Sequence, residues 1–104
     1  LKNYMYYAVG GKVYRVDLSA QPIKEELQFE LPGERITCLK FNLYQKSESM
    51  SRSYDLIVAS EKNGKGELRV YEGRESDGDF ARVKPSVYEG FTEIADVTYK
   101  ERVY

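Results

Sequence analysis

Two glycines between two runs of alternating apolar residues constrain this chain more than any other feature. Gly10-Gly11 separates YMYYAV from KVYRVDL. A two-residue tip of this kind favours a type I′ turn, where both residues take positive φ, which glycine adopts without steric cost. The tip length sets the register: Ala8 opposite Val13, Tyr7 opposite Tyr14, Met5 opposite Val16. Side chains alternate across a strand. Met5, Tyr7, Val9, Tyr14 and Val16 therefore share one face, and Tyr4, Tyr6, Ala8 and Val13 the other. Both faces are largely apolar, so the ribbon is expected to be covered on both sides.

The rest of the chain also reads as strands. No stretch keeps a helical period, and several runs alternate or stay apolar for five to seven residues between turn signals. Ser19–Pro22 reads as a turn, Ile23–Leu31 as a more exposed strand, and Pro32-Gly33 as its stop. Arg35–Phe41 is a strand. Asn42–Ser53, polar and serine-rich, reads as a loop. Tyr54–Ser60 is the most apolar strand, Asn63-Gly64 a second hairpin tip, and Glu67–Glu72 the return strand. Gly73–Asp79 reads as an acidic loop. Phe80–Tyr88 is a strand broken by Pro85, which suits a sheet edge, and Glu93–Tyr104 is a last strand.

Composition agrees: ten tyrosines and no tryptophan, among many valines and isoleucines, suit pleated surfaces. The 104 residues form one domain at most. The net charge of −1, from 16 basic and 17 acidic residues, gives no long-range field, so neither nucleic acid nor an anionic membrane is the expected partner. No apolar run approaches the roughly 18 residues that span a bilayer. The segment begins with Leu1 and enters strand-like sequence by Asn3, so it is read as a piece of a longer protein, without its targeting signals.

The parts repeat. ITCLKFN at Ile36–Asn42 aligns with IADVTYK at Ile94–Lys100, with apolar residues at the first, fourth and sixth places of each. The two hairpins match as well, Ala8 opposite Val13 corresponding to Ala59 opposite Leu68. A period of about 50–58 residues falls where repeats indicate propellers or solenoids. With four strands a to d per unit, the chain reads b-c-d, then a-b-c-d, then a. Unit 1 is residues 4–31 plus the closing strand 93–104; unit 2 is residues 35–88. The expected fold is all-β and antiparallel: two four-stranded, propeller-blade-like sheets facing each other, with the last strand completing the first sheet beside Tyr4–Val9. An uncovered blade face would leave a large apolar patch.

The spacing in strand a followed by a b-c hairpin resembles WD40-like propeller blades, although Val16-Asp17 and Val70-Tyr71 stand where a Trp-Asp pair would. YYAVGGKVYRVDL, ERITCLKF and YEGFTEIADVTYKE together resemble the C-terminal blades of PKD-like family lipoproteins. Those are envelope proteins encoded beside glycan-uptake systems in gut-type bacteria. The resemblance covers most of the chain. It implies an extracytoplasmic, cell-envelope setting and a binding or scaffolding role, and it transfers no active-site residues.

Chemistry-bearing residues are sparse. With no histidine, no Ser-His-Asp or Cys-His arrangement forms within the chain. Cys38, the single cysteine, allows no intrachain disulfide, gives zinc no ligand set, and reads as a core residue. Asp55, Glu61, Glu67, Glu75, Asp77, Asp79 and Asp96 supply carboxylates that pairwise glycoside chemistry uses, but most sit in loops or at strand ends as solvated charge. Asp96 aligns with Cys38, an expected inward position. Glu75–Asp79 has the wrong order for a calcium loop and reads as a turn. Gly10-Gly11-Lys12 leads into a strand, not into the helix N-terminus a phosphate loop requires. No metal, cofactor or catalytic residue is assigned. The tyrosines remain: aromatics pack blades, yet exposed ones also suit sugars and protein partners. Tyr44, with Asn42 and Gln45 beside it in the polar loop after Phe41, is the candidate for contact with a ligand or partner.

The expected function is therefore a non-catalytic binding or scaffolding module of a bacterial cell-envelope protein linked to glycan uptake. Contact with a protein is favoured over direct contact with a glycan. Two alternatives stay open: a propeller-enzyme fragment whose active site is completed by absent blades, and purely structural ring-closing blades.

Overall fold

A computed structural model describes residues 3–45, 52–74 and 80–97. Its regular elements are seven strands: β1 Tyr4–Val9, β2 Lys12–Asp17, β3 Lys24–Glu30, β4 Arg35–Gln45, β5 Arg52–Lys62, β6 Lys65–Arg74 and β7 Ser86–Phe91. They form two antiparallel sheets in chain order, β1-β2-β3 and β4-β5-β6-β7. The all-β class follows from the sequence, as does the first register: Met5 faces Val16, Tyr7 faces Tyr14 and Ala8 faces Val13. Ala59 likewise faces Leu68 in the second sheet.

The two hairpin tips differ. Asn63 and Gly64 both take positive φ, 55° and 77°, as a type I′ turn requires. In the first tip only Gly10 does, at 59°. Gly11 serves a close approach instead. A Cβ there would stand 2.5 Å from the Leu31 carbonyl oxygen and 2.6 Å from that of Glu34. The tip is thus seated on the β3–β4 connection. Leu31 N–H donates to the Gly11 carbonyl and Ile36 N–H to that of Gly10, both at 2.8 Å.

The sheets pack face to face around Val13, Leu31, Tyr54, Leu56, Val58, Tyr71 and Phe80, with Tyr6, Ala8, Phe29, Ile36, Leu39 and Val83 packed against them. Tyr6 of β1 stacks on Phe41 of β4, and Phe29 of β3 stacks on Tyr71 of β6. The three-stranded sheet therefore lies over β4, β5 and β6. Among the described residues no strand lies above β7, and all six of its residues are exposed.

Several expectations need correction. Asn42–Gln45 and Arg52–Ser53 are not loop but the ends of β4 and β5, paired Asn42 to Asp55 through Gln45 to Arg52. Backbone pairing carries the hairpin outward past the apolar run, whatever the polarity of its side chains. The residues between, 46–51, lie outside the described ones, as does the acidic segment 75–79. Phe80–Pro85 is not strand either. Phe80 turns inward, only 1% exposed, its backbone N–H donating to Gln28 Oε1 at 2.8 Å. Its ring meets Tyr6, Tyr54 and Tyr71 edge-on, a geometry aromatic quadrupoles favour. Phe80 thereby fills the flank that three strands leave open.

Among the described residues the first sheet has three strands, where four were expected. Among the described residues β1 pairs with β2 alone, and Glu93–Val97 forms no strand; residues 98–104 lie outside the described ones. Glu93–Val97 crosses the outer side of the second sheet. Gly66 leaves room for it, since a Cβ there would sit 3.3 Å from the Glu93 Cα and 3.4 Å from the Ile94 nitrogen. A β-bulge between Ile36 and Cys38 inserts Thr37, whose hydroxyl donates to the Ile94 carbonyl at 2.5 Å. Cys38 is accordingly not a core residue. It lies half-buried on the outer side, its thiol 3.6 Å from Asp96 Oδ1. Asp96 faces no interior channel; it is 73% exposed and also meets Lys40 Nζ at 3.4 Å.

Candidate binding surface

The expectation that both faces of the first ribbon are covered is met only in part on one side, where Val16 is buried and Tyr7 and Tyr14 half-buried but Met5 and Val9 are exposed. Register and alternation place three rows on the outer face of the first sheet: Met5, Val16 and Glu25; Tyr7, Tyr14 and Leu27; Val9, Lys12 and Glu30. The opposite face, with Tyr6, Ala8 and Val13, is the one the second sheet covers. Outside, Met5 is 47%, Val9 60% and Leu27 50% exposed. Tyr7 and Tyr14 stand between them as a cross-strand stacked pair, centroids 5.3 Å apart and planes 19° apart. Such a pair holds both rings in place by packing alone. The result is an apolar and aromatic surface that no described element covers, flanked by Glu25 and Glu30 on the β3 side.

Leu27 is the member the sequence reading did not single out. Its signal is its setting: a leucine in KEELQFE, on the outer-face phase of a strand otherwise rich in charge.

The residues named for contact from the sequence fall elsewhere. Asn42, Tyr44 and Gln45 occupy consecutive register positions near the end of β4, opposite Asp55, Ser53 and Arg52. Asn42 is half-buried; what the side chains of Tyr44 and Gln45 touch lies outside the described residues. The neighbouring aromatics are engaged. Phe41, though 49% exposed, has Tyr6 stacked on it at 5.9 Å and Tyr54 at 5.1 Å. The Arg15 guanidinium lies 4.4 Å above the Tyr4 ring and is held by Glu26 at 2.6 Å. A sugar stacks on a free aromatic face, and this edge uses its ring faces internally. Burial pushes the Tyr6 hydroxyl well above the usual tyrosine range, with Tyr54 adding to the shift, as expected of a packing residue.

Two polar clusters tie the fold together. Arg69 forks onto Glu34, at 3.2 Å to each oxygen, and reaches Glu67 at 2.7 Å and the Ser60 hydroxyl at 3.1 Å. Ser60 in turn donates to Glu34 Oε1 at 2.8 Å. Glu34 and Arg69 are 11% and 15% exposed, so the carboxylates are neutralised where they are desolvated. The second cluster is Cys38, Lys40 and Asp96. Burial raises the Cys38 thiol pKa, the nearby Asp96 carboxylate raises it further, and a thiol so placed is a weak nucleophile. The Val97 N–H and then Lys40 lower the Asp96 carboxyl. Among the described residues no three His, Cys, Asp or Glu side chains are grouped as metal ligands.

Comparison with protein-family models, with curated proteins and with solved structures finds no match to this chain.

Proposed function

We propose that the chain is a non-catalytic binding or scaffolding module of a bacterial cell-envelope protein linked to glycan uptake, its two sheets being blade-like units of a propeller. Within that role it contacts a protein through the outer face of the first sheet. The observation that carries the reading is that face: exposed Met5, Val9 and Leu27 around the half-buried, stacked Tyr7–Tyr14 pair. Tyrosine and methionine are enriched in protein interfaces, where broad apolar bodies bury well and hydroxyls keep a water-facing partner. The envelope setting and the glycan link rest on the sequence resemblance.

A photo-reactive amino acid at Met5 tests the proposal in cells that make the protein. It is expected to cross-link to protein, and the adduct to disappear when Leu27→Lys is added, while the same probe at exposed Lys62 gives none. Binding of a soluble polysaccharide that Tyr7→Ser weakens, with no cross-link from Met5, would replace the protein partner with a glycan.

A further inference from the structure

The chain has three asparagines, and Asn63 alone precedes a glycine. Gly64 has no side chain to shield its backbone nitrogen, and a Cβ there would meet nothing within 4 Å. Both residues are exposed, and the Asn63 side-chain amide makes no hydrogen bond among the described residues. Attack of the Gly64 nitrogen on Asn63 Cγ is therefore sterically open. Two features of the folded tip oppose it. Asn63 has a φ of 55°, the left-handed conformation, in which Cβ crowds its own carbonyl oxygen. The Asn63 Cβ then stands across the Cα–C bond from the Gly64 nitrogen, on the far side. The second feature is Glu61. The Gly64 N–H donates to its Oε1 at 2.9 Å, while Arg35 holds its Oε2 at 3.2 Å. The bond from Gly64 is the first cause of the Glu61 carboxyl lying below its usual range.

We propose that Asn63 is a deamidation site that the β5–β6 tip keeps closed, with Glu61 as the lock. When the tip opens, Asn63 leaves the left-handed conformation and its side chain turns toward the Gly64 nitrogen. That nitrogen gives its proton to water or hydroxide and bonds to Asn63 Cγ. The Cγ–Nδ2 bond breaks, and ammonia leaves with a proton from solvent. Water then adds to either carbonyl of the five-membered imide, so Asn63 becomes aspartate or isoaspartate. The balance is one ammonia lost and one water consumed, with no change of oxidation state. Glu61 is placed to oppose the step, because its negative charge repels the charge that the nitrogen develops. In isoaspartate the main chain runs through the side-chain carbon and gains an atom. A two-residue tip has no room for it, since tip length sets the register. The pairs Lys62–Lys65 and Glu61–Gly66 are lost first, and with them the close approach of Gly66 to Glu93 and Ile94. A tip modified in this way does not close again.

Peptide mapping by mass spectrometry after incubation at mildly alkaline pH tests this. It reads the exchange of ammonia for water at Asn63 and separates aspartate from isoaspartate by retention. From the strength of a hydrogen bond to a charged group, the folded chain is expected to deamidate at least about tenfold more slowly than the same chain unfolded in guanidinium chloride. Glu61→Ala, checked for native circular dichroism, is expected to narrow that gap in the folded chain and to leave the unfolded rate unchanged. Glu61→Gln keeps an acceptor for the Gly64 N–H and is expected to stay near the wild-type rate. Equal rates in the folded and unfolded wild type overturn the closed tip, and that comparison stands even if Glu61→Ala misfolds. A folded Glu61→Ala slower than wild type makes Glu61 a base and overturns the lock, as does Glu61→Gln reacting as fast as Glu61→Ala. An unfolded chain that keeps Asn63 intact removes the site.

Discussion

Adjacent glycines at the first hairpin tip should differ sharply in what they tolerate. At Gly11 a methyl group would lie 2.5 Å and 2.6 Å from two backbone carbonyl oxygens. Carbon and carbonyl oxygen settle at about 3.3 Å, so the tip of Gly11→Ala must retreat by about 0.8 Å. Both bonds that seat the tip, 2.8 Å each, would then stretch to about 3.6 Å, where a hydrogen bond ceases to count as one. Each loss costs about 1 kcal/mol. Forcing a methyl into a packed site costs about 1–3 kcal/mol more. The total is about 3–5 kcal/mol, a large share of the about 5–15 kcal/mol that holds an ordinary domain together. Gly10→Ala meets nothing within 4 Å and suffers only from its φ of 59°, about 1–2 kcal/mol for a left-handed L-residue. Urea unfolding followed by circular dichroism reads the difference, provided the two variants share one m-value. A Gly10→Ala cost equal to or above that of Gly11→Ala would refute the seated tip. Turn geometry, not close approach, would then be the reason for both glycines.

Two further outcomes follow from polar groups in the core. Arg69→Met should destabilise by about 2–4 kcal/mol, since it leaves Glu34 and Glu67 facing each other with little solvent. Adding Glu34→Gln should recover part of that, and thermal denaturation at neutral pH checks both. The second outcome concerns alkali. Burial raises the hydroxyl pKa of both Tyr6 and Tyr71 above the ordinary 10.0. The unfolded chain therefore releases these protons first. Their contribution is fully present below pH 10 and is lost as pH rises from there toward the folded values. Tyrosinate absorbance should show these hydroxyls ionising together with unfolding. Tyr6→Phe with Tyr71→Phe should shift the alkaline midpoint upward, and an unchanged midpoint would count against the burial of both hydroxyls.

The local pairings were legible in the sequence because a two-residue tip leaves a hairpin one sensible register. Ala8 opposite Val13 needs only the chain between them. What failed was whatever depends on distant residues. Asn42–Gln45 looks like a loop by composition, but its backbone continues the ladder begun at Arg35. Phe80 looks like the start of a strand because aromatics favour strands; it is drawn inward by Gln28 and three rings from other strands. The faces of β1 and β2 have nearly the same composition, so nothing local says which one the second sheet covers. Tyr44, Asn42 and Gln45 stand out in the sequence only because their polar neighbours read as a loop. The Tyr7–Tyr14 surface reads as interior for the complementary reason, that apolar residues are expected to be covered.

The bond from Phe80 to Gln28 spans 52 residues. A ribosome adding about 5–20 residues per second needs about 3–10 s to make that stretch. Throughout it, β1 to β3 exist without the ring that seals their flank. Strand pairings of such long range close in milliseconds to seconds, so synthesis, not closure, sets the pace at which the sandwich is sealed. The nascent first sheet must therefore stay soluble with both of its apolar faces open, which makes the emerging chain, more than the finished one, a client for holding chaperones.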